Sequence, residues 1–138
     1  MVAWLSGWIA AGCVLAAGLL PLTRAARGAQ MNARLTKTHM TLGIAVSALA
    51  FAHVLAAIPS LGEPAVVAGG MAALAPAVAA FFVLVAHTGV GLQLWRSPVT
   101  GTSKTKHAER ARKRRLHRIT ATLIVLLIAA HVGMLRIR

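Results

Sequence analysis

Carboxylates are nearly missing from this chain. Its 138 residues include two acidic side chains, Glu63 and Glu109, against 15 lysines and arginines. Charged residues make up 12% and hydrophobic ones 58%, whereas an average soluble chain is roughly 25% charged. With a mean hydropathy of +0.74, water is excluded as the solvent for most of the surface. A single cysteine, Cys13, rules out an internal disulfide and any CxxC metal motif, and is expected to pack as a small apolar residue inside a helix. No strand-like alternation and no Gly-rich dinucleotide fingerprint occur anywhere. A pI near 12.0 raises nucleic acid as a partner, but the basic residues lie only between and beside apolar runs, so no nucleic-acid role is expected.

What the chain does have is four long apolar runs. A bilayer core about 30 Å thick takes roughly 20 apolar residues in a helix. The runs cover residues 2–22, 38–58, 70–95 and 117–135, with Pro76 kinking the third or starting its helix proper. The first is longer than a signal-peptide core and no Lys or Arg precedes it, so it is expected to remain as a span. The fold class is therefore all-α: one integral membrane four-helix bundle over residues 1–138, up-down-up-down, in a lipid bilayer.

Orientation follows from the basic residues. Thirteen lie at one end: Arg24, Arg27, Arg34 and Lys37 in the first connection, then Arg96, Lys104, Lys106, Arg110, Arg112, Lys113, Arg114, Arg115 and Arg118 around the third. Only Arg136 and Arg138 lie at the other end, and the connection "PSLGEP" has none. Both termini are expected outside the plasma (inner) membrane, with the basic loops, 96–116 included, in the cytoplasm. Residues 103–118 contain no Gly or Pro and predict a helical extension leading into the fourth span. Its charge suits anionic lipid or an acidic redox partner.

Four of the six histidines form a regular figure. His39 and His53 bracket "HMTLGIAVSALAFAH", and His117 and His131 bracket "HRITATLIVLLIAAH", with the same interval in each case. Fourteen residues of helix rise about 21 Å and turn about 1400°, only about 40° short of four turns; a mild left-handed supercoil removes the offset. Each pair thus lies on one helix face, with Val46 and Ile124 half-way along. Spans two and four run in the same direction, so His39 meets His117 at the inner level and His53 meets His131 at the outer level. Helix-end histidines at the interface are the plain reading, but polar side chains within a span usually face the bundle and serve a function. Two imidazoles without carboxylate or thiolate suit zinc poorly. They can fill both axial positions of a haem iron.

Paired H-x13-H motifs on two helices of a bundle resemble the two-haem cytochrome b of quinol-oxidising complexes. The spacing is also similar to that of ferric reductase and NADPH oxidase membrane domains, and the length is most similar to small four-helix b-type cytochromes. The resemblance covers spans two and four and rests on His39, His53, His117 and His131. It implies two haem b groups with bis-histidine ligation and low-spin iron.

Haem propionates prefer basic partners. Lys37, Arg34, Arg115 and Arg118 flank the inner level, Arg136 and Arg138 the outer. Small residues make room for a macrocycle or for close helix packing: Gly43, Ala50 and Ala121 beside the histidines, and Gly7, Gly12, Gly18, Gly89 and Gly91 on spans one and three. His87 falls between the two levels, about 12 Å from Trp95. A hydrogen bond to Ser47, quinone binding or a proton path, or replacement of one presumed ligand all fit it. His107 is expected to be solvated, and Trp4, Trp8 and Trp95 suit the interface.

The function expected is transmembrane electron transfer, as a carrier or subunit beside a redox partner protein or larger respiratory complex. The alternative is a quinone-interacting anchor or reductase subunit, with His87, Gln93 and Ser47 as polar contacts. A basic membrane scaffold without haem is the third reading.

Overall fold

Inside a bilayer no water reaches backbone N–H and C=O groups, so each spanning segment satisfies them internally as a helix. The computed structural model describes residues 2–26, 32–59, 70–96 and 104–136. These form α1 (Val2–Ala26), α2 (Ala33–Ala57), α3 (Gly70–Arg96) and α4 (Lys104–Arg136), with no strand among the described residues. Each helix holds a stretch of mean hydropathy 1.8 to 1.9, long and apolar enough to cross a membrane. The protein is a multi-pass membrane protein of four helices running up-down-up-down.

Local chemistry explains where the helices begin and end. Asn32 caps α2: its backbone is extended and its Oδ1 accepts from the Leu35 N–H at 2.9 Å, satisfying one of the orphan donors of a helix start. The cap starts α2 five residues before the apolar run. α1 continues through Pro21 to Ala26, since a proline near the last turn removes only one late hydrogen bond. Pro76 is the seventh residue of α3, inside the helix rather than at its start. The basic stretch is helical as expected, α4 being continuous from Lys104. Glu109 pairs with Lys113 one turn on, at 2.7 Å.

Neighbours in sequence are neighbours in space: α1 packs on α2, α2 on α3 and α3 on α4, and α4 closes the ring against α1. No Cα of α2 comes within 8 Å of one in α4, nor α1 of α3, among the described residues. Therefore α2 and α4 stand at opposite corners. Between them lies a thin core of Val46, Leu84 and Ile124, with Cys13, Val14, Ala17 and Ala50 packed around it. Val46 and Ile124 are the two half-way positions of the histidine intervals. Large apolar side chains point outward instead: Leu5, Phe82 and Leu126 are each more than half exposed. Such a surface belongs against lipid.

Because Ile124 is 3% and Leu126 60% exposed, truncating them has different consequences. Ile124→Ala opens a cavity and costs about 2–5 kcal/mol. Leu126→Ala merely exchanges one lipid contact for another. Thermal unfolding in detergent micelles checks this: the Ile124→Ala midpoint falls by several degrees and the Leu126→Ala midpoint stays near the parent.

Candidate functional site: a histidine row through the bundle

The four spaced histidines are all half-buried, on the faces of α2 and α4 that also carry Val46 and Ile124. At the basic end of the bundle His39 and His117 approach across the diagonal, with ring centroids 6.1 Å apart and ring planes at 88°. This is the pairing that parallel helices predict. His53 and His131 lie 14 residues further along each helix, towards the end that carries the termini.

Helix α1 holds the histidines of α2. The Nδ1–H of His39 donates to the Ala17 carbonyl at 3.0 Å. A carbonyl only accepts, so this bond puts the proton on Nδ1 and leaves Nε2 with its bare lone pair. Ala17 is free to accept because of Pro21. The residue four positions after a helical carbonyl normally supplies its N–H, and at position 21 a proline has none. At the other level the Ser6 hydroxyl lies 3.1 Å from His53 Nδ1. Gly7, one residue on, brings backbone against the same ring: a Cβ there would sit 3.1 Å from His53 Cε1.

Helix α3 plays the corresponding part for α4, by different means. A Cβ on Gly91 would sit 3.1 Å from His117 Cε1. One turn away on α3, the His87 ring stacks on His117 with centroids 3.8 Å apart and planes within 13°. His87 therefore belongs to the basic-end level rather than to the space between levels. Its partner is Thr120, Oγ1 to Nδ1 at 2.8 Å, and not Ser47, which instead meets the Thr88 hydroxyl at 2.8 Å. Thr120 Oγ1 also lies 3.0 Å from the Leu116 and His117 carbonyls. With its one proton directed there, it accepts from His87 Nδ1–H. His117 Nδ1 is buried and makes no hydrogen bond.

The remaining candidates divide by position. Lys37, Arg115 and Arg118 are exposed on the helices carrying His39 and His117, as is His107 on the extension. Arg136 ends α4, but its side chain, like Arg138 and the side chain of Trp4, falls outside the described residues. Trp8 and Trp95 are exposed. Gln93 is exposed on α3, while Ser47 and His87 bond to separate threonines, so the three share no hydrogen bond. Of the glycines, Gly7 and Gly91 are the ones where a Cβ would crowd a histidine; a Cβ at Gly12, Gly18, Gly43 or Gly89 would meet open space. Sequence reasoning did not find Ser6, Ala17, Pro21 or Thr120. Only Pro21 carried a signal, a missing donor four residues beyond a carbonyl.

Among the described residues, no three or more His, Cys, Asp or Glu side chains are grouped to hold a metal ion.

The glycine contacts predict a contrast. Gly91→Ala and Gly7→Ala force a histidine ring to move by a few tenths of an ångström, whereas Gly89→Ala meets nothing and gains up to about 1 kcal/mol of helix propensity. In thermal melts the first two variants are less stable than the parent and Gly89→Ala is as stable or more so. Histidine ring NMR signals shift only in the first two.

Comparison with known proteins finds no matching family, no matching curated protein and no matching solved structure.

Proposed function

We propose that the protein carries electrons across a membrane on two haem b groups, each held by one histidine of α2 and one of α4. The observation that carries this reading is the inner pair: two imidazoles from diagonal helices, 6.1 Å apart, one of them with its Nδ1 proton tied to a carbonyl. A metal–imidazole bond is roughly 2 Å, so two such bonds and two ring radii fill a gap of this size. Two side chains are too few for a bare ion, but suffice for an iron whose macrocycle already supplies the equatorial ligands. The glycine backbone against His53 and His117 supports the same reading, because it admits ring positions that a Cβ would crowd.

When bound, each haem iron takes up and releases one electron. Everything else is the work of the chain. His39 and His117 hold the inner group, His53 and His131 the outer, about 21 Å further along the helices. Ala17 and Ser6 fix the rings of α2 from behind, which sets tautomer and basicity as in other metal sites. The apolar core of Val46, Leu84 and Ile124 keeps the path between the levels dry. Lys37, Arg115 and Arg118 offer propionate partners at the inner level, and Arg136 at the outer.

By the positive-inside rule the basic end faces the cytoplasm and both termini lie outside the plasma membrane. The exposed cations of α4 then meet an acidic redox partner or a subunit of a larger respiratory complex.

Absorption spectra of oxidised and dithionite-reduced protein, with a pyridine haemochrome count, test the assignment. Two non-covalent b haems per chain are expected, falling to one in His39→Ala or His117→Ala and to the other one in His53→Ala or His131→Ala. Well-folded protein that takes up no haem sinks the reading. For orientation, a membrane-impermeant maleimide on a Cys13→Ala background should label Arg138→Cys in intact cells and Ser103→Cys only after permeabilisation; the reverse pattern inverts the topology.

A further inference from the structure

His39 and His117 differ in how they are held, and the difference has a spectroscopic consequence if they ligate haem as proposed above. His39 is oriented by a hydrogen bond to Ala17, a carbonyl released by Pro21. His117 Nδ1 has no hydrogen bond at all. A ligand ring without that bond is free to turn about its metal–nitrogen axis unless packing stops it. One contact from α3 does so: the His87 ring lies flat on one face, and at the Cε1 edge there is no room for a Cβ on Gly91. His87 is itself pinned by Thr120, 2.8 Å from its Nδ1. The outcome is two rings whose planes stand at 88°.

We propose that Pro21 and His87 are positioning residues that lock the inner pair of imidazoles perpendicular to each other. Pro21 acts through Ala17 on His39, and His87 acts by stacking on His117. Neither ligates the iron. An axial imidazole donates π density to the iron d orbital perpendicular to its own plane. Parallel rings raise the same orbital and separate it from its partner; perpendicular rings raise both equally and leave them nearly degenerate. In the ferric low-spin state, near-degeneracy makes the g tensor strongly anisotropic. The inner site should therefore show one very large g value, where parallel ligation would give an ordinary rhombic signal.

Electron paramagnetic resonance on the oxidised, haem-loaded protein tests this, with the haem count measured on each sample. The strongly anisotropic component is expected in the parent and absent from His39→Ala, which assigns it to the inner level. His87→Ala should keep two haems but move this component to a smaller largest g value, as His117 relaxes. His87→Phe preserves the stack and should preserve the signal. Thr120→Val, which unpins His87, should broaden it. Pro21→Ala restores an N–H that competes for the Ala17 carbonyl and should shift it as well.

An inner signal unchanged in both His87→Ala and Pro21→Ala overturns the proposal while leaving haem binding intact. So does loss of the inner haem in both His87→Ala and His87→Phe with retention in His117→Ala, which would make His87 the ligand. Absence of haem from the parent protein would instead remove the functional reading on which the proposal rests.

Discussion

In an up-down-up-down bundle, helices two apart in sequence run in the same direction and occupy opposite corners. That geometry governs the rest of this structure. Parallel running makes His39 the counterpart of His117, and the two rings do meet. Diagonal placement keeps the Cα atoms of α2 and α4 more than 8 Å apart among the described residues, so side chains rather than backbones face each other along the axis. The flanking helices α1 and α3 then inherit a specific task. Each lies against a histidine-bearing helix and can reach the rings from the side, through a glycine, a carbonyl, a hydroxyl or another imidazole.

Lipid changes the energetics of such packing. Apolar side chains gain little by leaving lipid for protein, so association depends on close contact and on hydrogen bonds between helices. The few buried residues around Val46, Leu84 and Ile124 supply the first. Side-chain bonds supply the second, among them Ser6–His53 and His39–Ala17 between α1 and α2, Ser47–Thr88 between α2 and α3, and His87–Thr120 between α3 and α4. Bonds of this kind average about 0.6 kcal/mol in a membrane protein. They are too weak to hold the bundle alone, but each is local and directional, so they select the register in which the histidines line up.

Charge is segregated as sharply as hydrophobicity. Helix α4 extends beyond its apolar part into a basic arm, in which Lys113 pairs with Glu109. Near an anionic leaflet each further Lys or Arg is worth about 1 kcal/mol. The same arm leads directly into His117.

Four helices, their approximate limits and the histidine faces were legible in the sequence, because apolar length and a constant interval on a regular helix depend on local geometry alone. The helical extension before His117 was legible for the same reason, in its lack of Gly and Pro. The limits moved where local chemistry intervened: Asn32 began α2 early, and Pro21 and Pro76 proved to be internal. Tertiary structure alone decided which small and polar residues meet the histidines. Gly7 and Gly12 look alike in sequence, but one faces His53 and the other open space. His87 binds Thr120 rather than Ser47 because the rotation of α3 about its axis is set by packing against two neighbours at once. Pro21 is visible in the sequence as a proline, but the carbonyl it frees acquires a partner only where α2 lies against α1. Spacing along one helix is a property of the chain, whereas contact between helices depends on rotation and register, which only the packed bundle determines.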